Sequence, residues 1–257
     1  MVAVPATGEG GVGLDSVQIA DRLTQWLESK VQGAGARGVV FGLSGGVDSA
    51  VVGALACRAC GDNVLGIIMP CESSVQDMLD GQLVARALSI PYIMVELDDA
   101  YQLLARQYEA FLKLEDEEQA RRTKANIKPR LRMTTLYYFA QARGYLVLGC
   151  SNRSELTTGY FTKYGDGGVD LMPIGGLVKH QVWDLARHLG VPDSVIAKAP
   201  SAGLYEEQTD EDEMGFSYGE LDSYLLTGEA SEEVSRKIEK MHRVSEHKRH
   251  LPPIGEF

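Results

Sequence analysis

The residues best placed to do chemistry form one stretch, Phe41-Gly42-Leu43-Ser44-Gly45-Gly46-Val47-Asp48-Ser49. Gly45 and Gly46 follow an apolar run and precede a helical one. The backbone can therefore turn tightly there, and a ligand can approach the main chain without meeting a side chain. The helix that starts here offers free N–H donors and a partial positive charge, and Ser44 and Ser49 add hydroxyls. Together these make a phosphate cradle. No Gly-Lys-Ser/Thr follows at Walker spacing, so the lysine that grips a terminal phosphate is missing. A double glycine alone is more commonly a plain strand-to-helix connection with a polar cap. The complete Ser-Gly-Gly-x-Asp-Ser pattern between apolar flanks favours phosphate.

The hexad resembles the pyrophosphate-binding loop of the ATP pyrophosphatase superfamily, whose members split ATP between the α and β phosphates and pass AMP to an acceptor oxygen. NAD, GMP, asparagine and argininosuccinate synthetases and tRNA-modifying enzymes share it, so the loop implies the reaction type and leaves the acceptor open. Ordered blocks further along narrow the choice. Asn126-Ile127-Lys128-Pro129-Arg130-Leu131-Arg132-Met133, the stretch from Leu148 to Glu155, the stretch from Gly159 to Asp170, Gly176-Leu177-Val178-Lys179, the stretch from Ala199 to Leu204, and Glu246-His247-Lys248-Arg249 all match. Over nearly its full length the chain is similar to the ammonia-dependent NAD synthetase family.

The residues and the resemblance agree on a site. Asp48 and Glu155 are hard oxygen ligands, expected at two strand ends and suited to Mg²⁺ bridging ATP phosphates. The resemblance assigns ATP to Gly42, Leu43, Ser44, Gly45, Gly46, Val47, Asp48, Ser49, Cys150, Lys179 and Ser201, with Asp48, Glu155 and Lys179 as the catalytic set. Cys150 stands where relatives often carry Thr, and a thiol is a poor substitute for a hydroxyl. Deamido-NAD, the implied second substrate, brings two phosphates and a carboxylate. The resemblance gives it Arg130, Lys163, Asp170, His247 and Lys248. Tyr160, Phe161 and Tyr164 either stack on a ring or pack.

The implied reaction runs through an acyl-adenylate. The nicotinate carboxylate attacks the α phosphorus, pyrophosphate leaves on the glycine loop, and ammonia displaces AMP to give NAD. Asp166 and Asp170 are the candidates for taking the ammonium proton. The amidase domain of glutamine-dependent relatives is not expected, so the nitrogen would be free ammonia or come from a separate partner. The resemblance also implies a homodimer. Two alternatives compete with this reading. A tRNA-modifying relative would want a basic surface and zinc-binding Cys pairs, whereas Cys57 and Cys60 fall inside an apolar helix. A non-catalytic ATP sensor would not need both Asp48 and Glu155.

The elements that must position these groups alternate. A helix is expected over Ile19–Val31, apolar β-type runs at Val39–Leu43, Val64–Met69, Tyr92–Leu97 and Leu146–Leu148, and helices from Asp48, over Val75–Leu88 and over Val178–Leu189. A long helical region, Tyr101–Arg143, is expected to break near Pro129. Such alternation predicts α/β architecture with a mostly parallel sheet covered on both faces, and the resemblance implies a Rossmann-like three-layer α/β/α sandwich. One domain is expected over 1–257, with a mobile tail at 1–13 and an active-site loop at 200–216. Helices near Tyr218–Leu226 and Ser231–His242 lead to the basic stretch Glu246–His250.

With 257 residues, 44% hydrophobic and 24% charged, the composition is that of an ordinary globular chain. Its net charge of −11 repels nucleic acid and anionic lipid. Four Cys, no signal-peptide layout and no long apolar span give the expectation of a cytoplasmic protein without membrane contact.

Overall fold

The computed structural model describes residues 14–201, 203–205 and 209–255. The expected tail at 1–13 lies outside the described residues, as do Ala202 and 206–208 of the expected loop.

Helix α1 (Ser16–Gly33) starts on a capping box between Asp15 and Gln18. Strand β1 (Gly38–Gly42) and helix α2 (Val47–Cys60) flank the glycine turn. β2 (Val64–Ile68), α3 (Val75–Ala87) and β3 (Tyr92–Met94) follow, then α4 (Asp98–Phe111), α5 (Glu117–Ala125), α6 (Ile127–Arg143) and β4 (Tyr145–Leu148). The four strands form one parallel sheet in the order β3-β2-β1-β4.

Both faces of this sheet are covered, as expected for parallel strands. Val39 and Phe41 of β1 join the core beneath α1, α2 and the later helix Lys179–His188, whereas Val40, between them, joins Leu65, Ile67, Tyr101, Leu136 and Val147 on the face covered by α4 and α6. The result is the expected three-layer α/β/α sandwich. Beyond β4 come α7 (Arg153–Thr158), α8 (Lys179–His188), α9 (Asp193–Ile196), α10 (Asp210–Met214), α11 (Tyr218–Thr227) and α12 (Glu232–Val244). The last three build a separate apolar cluster around Tyr218, Leu221, Val234 and Ile238.

Several boundaries differ from expectation. Pro129 does not break a helix. It occupies the first turn of α6, where its missing N–H costs nothing. The real interruptions lie at 112–116 and at Asn126. The third strand is shorter than Tyr92–Leu97, although Val95 N–H and Leu97 N–H still bond to Ile68 and Pro70 carbonyls. The segment 200–216 is not all loop, because Thr209 caps the short α10 through Asp212 N–H. Glu155 is not at a strand end but in α7, a helix too short to show periodicity.

The strand order places the topological switch point between β1 and β4, and in open α/β sheets ligands bind there, outside the carboxyl ends of the strands. The glycine turn leaves β1 on that edge, and the 149–155 segment leaves β4 beside it. Gly45 has φ +81°, and a Cβ built on it would stand 2.7 Å from the Asp77 carbonyl oxygen and 2.8 Å from Gly81 N. Only glycine permits both the turn and its close seat on α3. Gly190 also has positive φ (+77°), with nothing within 4 Å of a built Cβ. Gly45→Ala is therefore expected to cost about 2–3 kcal/mol, and Gly190→Ala about 1 kcal/mol, in urea unfolding. Equal losses would show that α3 can move aside.

Candidate active site

The glycine turn is braced by its own hydroxyls. Ser49 Oγ donates to the Gly46 carbonyl at 2.9 Å and accepts from Ser44 N–H at 3.2 Å, and it lies 3.1 Å from Ser44 Oγ. Gly46, the N-cap of α2, has no side chain to occupy the first N–H groups of that helix. Donors at a helix start are thus turned toward the space above the sheet, which is the arrangement an anion needs.

That space is a cavity of about 880 Å³, within the range of nucleotide-sized sites. The glycine turn forms its floor, together with Cys150, Glu155 and Lys179, and Asp166, Lys198, Ser201, Asp210 and Lys248 form its walls. Ser201 is exposed at the rim and accepts from Gly203 N–H at 3.1 Å.

At the floor, Asp48, Glu155 and Lys179 meet. The Lys179 side chain is only 2% exposed, and its Nζ lies 2.6 Å from Asp48 Oδ2 and 3.8 Å from Glu155 Oε1. It also stands 5.1 Å from the centre of the Tyr218 ring. A solvated surface lysine is thereby ruled out. Burial opposes the Lys179 ammonium, but Asp48 and then Glu155 outweigh it and hold its proton more tightly than in water. Burial first, and then the Asp48 charge, push the Glu155 carboxyl up.

Asn152, fully buried, completes the cluster: its Nδ2 donates to Asp48 Oδ1 and to Glu155 Oε1, both at 2.9 Å. It also caps α7, accepting from Glu155 N–H at 3.0 Å while Glu155 Oε2 accepts from Asn152 N–H at 3.2 Å. Sequence reading passed over Asn152. Its signal was Asn-x-x-Glu before a helix, a capping-box pattern. Asp210 was also missed. It accepts from the Tyr218 hydroxyl at 2.9 Å, and burial pushes its carboxyl up.

Cys150 donates to the Gly42 carbonyl at 3.9 Å, and burial pushes its thiol well above the ordinary range, so it sits at the floor as a neutral thiol. Two carboxylates supplemented by phosphate oxygens make the all-oxygen donor set that Mg²⁺ takes. The like-charge pressure on Glu155 is what a divalent cation would relieve. Among the described residues no group of three or more acidic, His or Cys side chains is arranged to hold a metal unaided, so the phosphates would have to complete the shell.

The residues expected to take a second substrate are brought only partly together. Lys248 lines the cavity and donates to the Gly159 and Phe161 carbonyls at 2.7 Å. Lys163 Nζ reaches the His247 carbonyl at 2.5 Å, and Arg130 Nη2 reaches the Lys163 carbonyl at 3.3 Å, so these stand outside the cavity wall around the same 159–164 segment. Asp170 lies apart, accepting from Val147 N–H at 2.8 Å and from the Tyr137 hydroxyl at 3.0 Å on the edge of β4. Asp166 is the one of the two proton-acceptor candidates that reaches the cavity. It accepts from Thr162 N–H at 2.9 Å, and the residue stays exposed to the cavity. The basic residues between Arg121 and Arg132 are dispersed. Arg122 pairs with Glu118 and Lys124 with Glu109 at the surface, whereas Lys128 is buried against Glu72.

Comparison with known proteins follows the same lines. The family model described as NAD synthase matches residues 19–252. An NH3-dependent NAD(+) synthetase of Carboxydothermus hydrogenoformans is 53% identical over 91% of this chain and 95% of that protein. Among solved structures, an NMN synthetase from Francisella tularensis has a TM-score of 0.89 at 36% identity and covers 95% of this chain and 100% of its own. An NH3-dependent NAD synthetase from Campylobacter jejuni subsp. jejuni, solved with nitrate ion, has a TM-score of 0.76 at 28% identity over 95% and 100% of the two chains. A glycine turn at the switch point, a buried Lys179 paired with Asp48 and Glu155 beneath the cavity, and matches that span nearly the whole described chain place it in the NAD synthase family.

Proposed function

We propose that the cavity at the β1/β4 switch point amidates deamido-NAD with ammonia, consuming ATP and releasing NAD, AMP and pyrophosphate. The observation that carries this reading is the meeting of the Ser44–Ser49 turn with Asp48, Glu155 and Lys179 on the floor of one cavity, in a chain of the NAD synthase family. A sensor would have no use for the carboxylate pair, and the relatives reported above carry synthetase names.

In this reading ATP lies with its β and γ phosphates on the glycine turn, against the start of α2 and the Ser44 and Ser49 hydroxyls. The nicotinate carboxylate is the nucleophile, so the protein contributes position and charge rather than a nucleophile of its own. Lys179 offsets the charge that develops as pyrophosphate leaves. Asp48 and Glu155 would hold Mg²⁺, which when bound neutralises phosphate oxygens. Pro200, Ser201 and Gly203 cover the nucleotide at the rim. Lys248 and the Arg130–Lys163–His247 group face the anionic acceptor along the 159–164 segment. Asp166, which lines the cavity and is open to it, takes the proton from ammonium as general base.

The protein is read as a homodimer, with Asp170 and the groove of Met133, Tyr137, Tyr138 and Tyr145 outside the cavity as the face a second copy would cover. Tyr138 there is 70% exposed on α6. Four free thiols suit a reducing, cytoplasmic setting. Among the described residues no helix is long and apolar enough to cross a membrane.

Purified protein given ATP, Mg²⁺, ammonium chloride and deamido-NAD is expected to yield NAD, AMP and pyrophosphate in equal amounts by chromatography. ADP in place of AMP would overturn the reading. Nicotinate mononucleotide supplied instead tests the shorter acceptor, and preferential turnover of it would reassign the substrate. Asp48→Asn is expected to lower kcat by about a hundredfold and to raise the Mg²⁺ concentration needed for half-maximal rate. An unchanged Mg²⁺ requirement would remove Asp48 from the cation site. Light scattering should give twice the 28.0 kDa chain mass. A monomer would remove the second copy from the acceptor site.

A further inference from the structure

Asp222, on α11, does not line the cavity, yet its buried carboxylate is bonded on every side. It is 3% exposed. Oδ1 accepts from the Ser154 hydroxyl at 2.7 Å and from Lys179 N–H at 3.3 Å, while Oδ2 accepts from His180 N–H at 2.8 Å and lies 3.0 Å from His180 Nδ1. Ser154 Oγ also accepts from Lys179 N–H, at 3.3 Å.

These bonds answer a local deficiency. Helix α8 begins at Lys179, and the residue before it, Val178, has no side-chain oxygen to receive the first N–H groups of the helix. Asp222 supplies that acceptor from 43 positions away in sequence. Its negative charge at the start of α8 also suits the helix dipole. Through Ser154 the same carboxylate holds α7 at the residue next to Glu155. One helical turn earlier on α11, Tyr218 stands 5.1 Å from Lys179 Nζ. Helix α11 therefore meets Lys179 at both its main chain and its ammonium. The 2.6 Å and 3.8 Å contacts from Lys179 to Asp48 and Glu155 depend on where α7 and α8 start relative to each other.

We propose that Asp222 is a positioning residue for the amidation: it is the remote cap of α8 that sets where Lys179 meets Asp48 and Glu155. The inference rests on the role given to Lys179 under the proposed function. If Asp222 served only the fold, its loss would leave buried N–H donors unpaired and lower stability, without touching the chemistry of the molecules that remain folded.

Asp222→Asn tests the distinction, because it keeps the shape while the amide nitrogen cannot accept from α8. kcat is measured per ATP-binding site, with sites counted by calorimetric titration, so that unfolded molecules drop out. Asp222→Asn is expected to lower kcat per site by about tenfold with both KM values within about twofold. In a Lys179→Ala background the same change should alter the residual kcat by less than about twofold, because the two residues act as a unit. An unchanged kcat per site, or an equal loss in both backgrounds, overturns the proposal. If Asp222→Asn does not fold, Ser154→Ala, which keeps the carboxylate and removes one of its donors, should lower kcat per site by a few-fold, and full activity in that variant overturns the proposal equally. Wild-type turnover separates the two readings: no amidation by wild-type protein sinks the function, whereas wild-type turnover with an unaffected Asp222→Asn sinks only the positioning role.

Discussion

A lysine ammonium taken almost completely out of water governs the centre of this molecule. Desolvating a charge of that size costs several kcal/mol, and the cost is recovered only with close, well-aligned counter-charge and satisfied hydrogen bonds. Asp48 at 2.6 Å supplies the first, and Asn152 keeps the carboxylates in register for the second. Two acids and one base leave the cluster with excess negative charge, which is felt at Glu155. The floor of the cavity accordingly keeps a demand for positive charge that is not met within the cluster.

The sheet makes this arrangement affordable. Because the strands are parallel and the order reverses between β1 and β4, two loops leave the same edge side by side without either crossing the other. One loop carries the glycine turn and Asp48, and the other carries Asn152 and Glu155. Lys179 comes from a third element, α8, packed on the same face as α1 and α2. In the proposed function, phosphate handling thus rests on the rigid layers of the sandwich. The basic residues assigned to the acceptor hang instead on the 159–164 segment and the chain's last turn, held mostly by side-chain bonds to carbonyls.

Much of this was readable in the sequence for definite reasons. Apolar runs alternating with helical periodicity can be satisfied in few ways, so the parallel sheet and its two covered faces followed. The Ser-Gly-Gly-x-Asp-Ser pattern marked the turn because glycine is needed there twice over, for its φ and for its contact with α3. What stayed hidden depends on long-range packing. Nothing local announces that Lys179 is buried, since its neighbours across space lie 131 positions away at Asp48 and well beyond it in α11. Asp222 looks like one more acid on an amphipathic helix. Helix α7 is too short for a periodic signal, and Pro129 read as a breaker because composition does not say which turn of a helix it occupies. The basic residues between Arg121 and Arg132 stand close together in sequence, but helical geometry sends neighbours to different faces, and surface acids pair with two of the six, Arg122 and Lys124.

The Asn152–Glu155 cap does two tasks with one carboxylate, since Glu155 Oε2 closes the first turn of α7 while Oε1 faces Lys179. Secondary structure and reactive geometry are therefore not assembled in sequence. Winding that turn already aims the acid, and unwinding it disarms the floor, so fraying at this short helix and loss of a competent centre are one event.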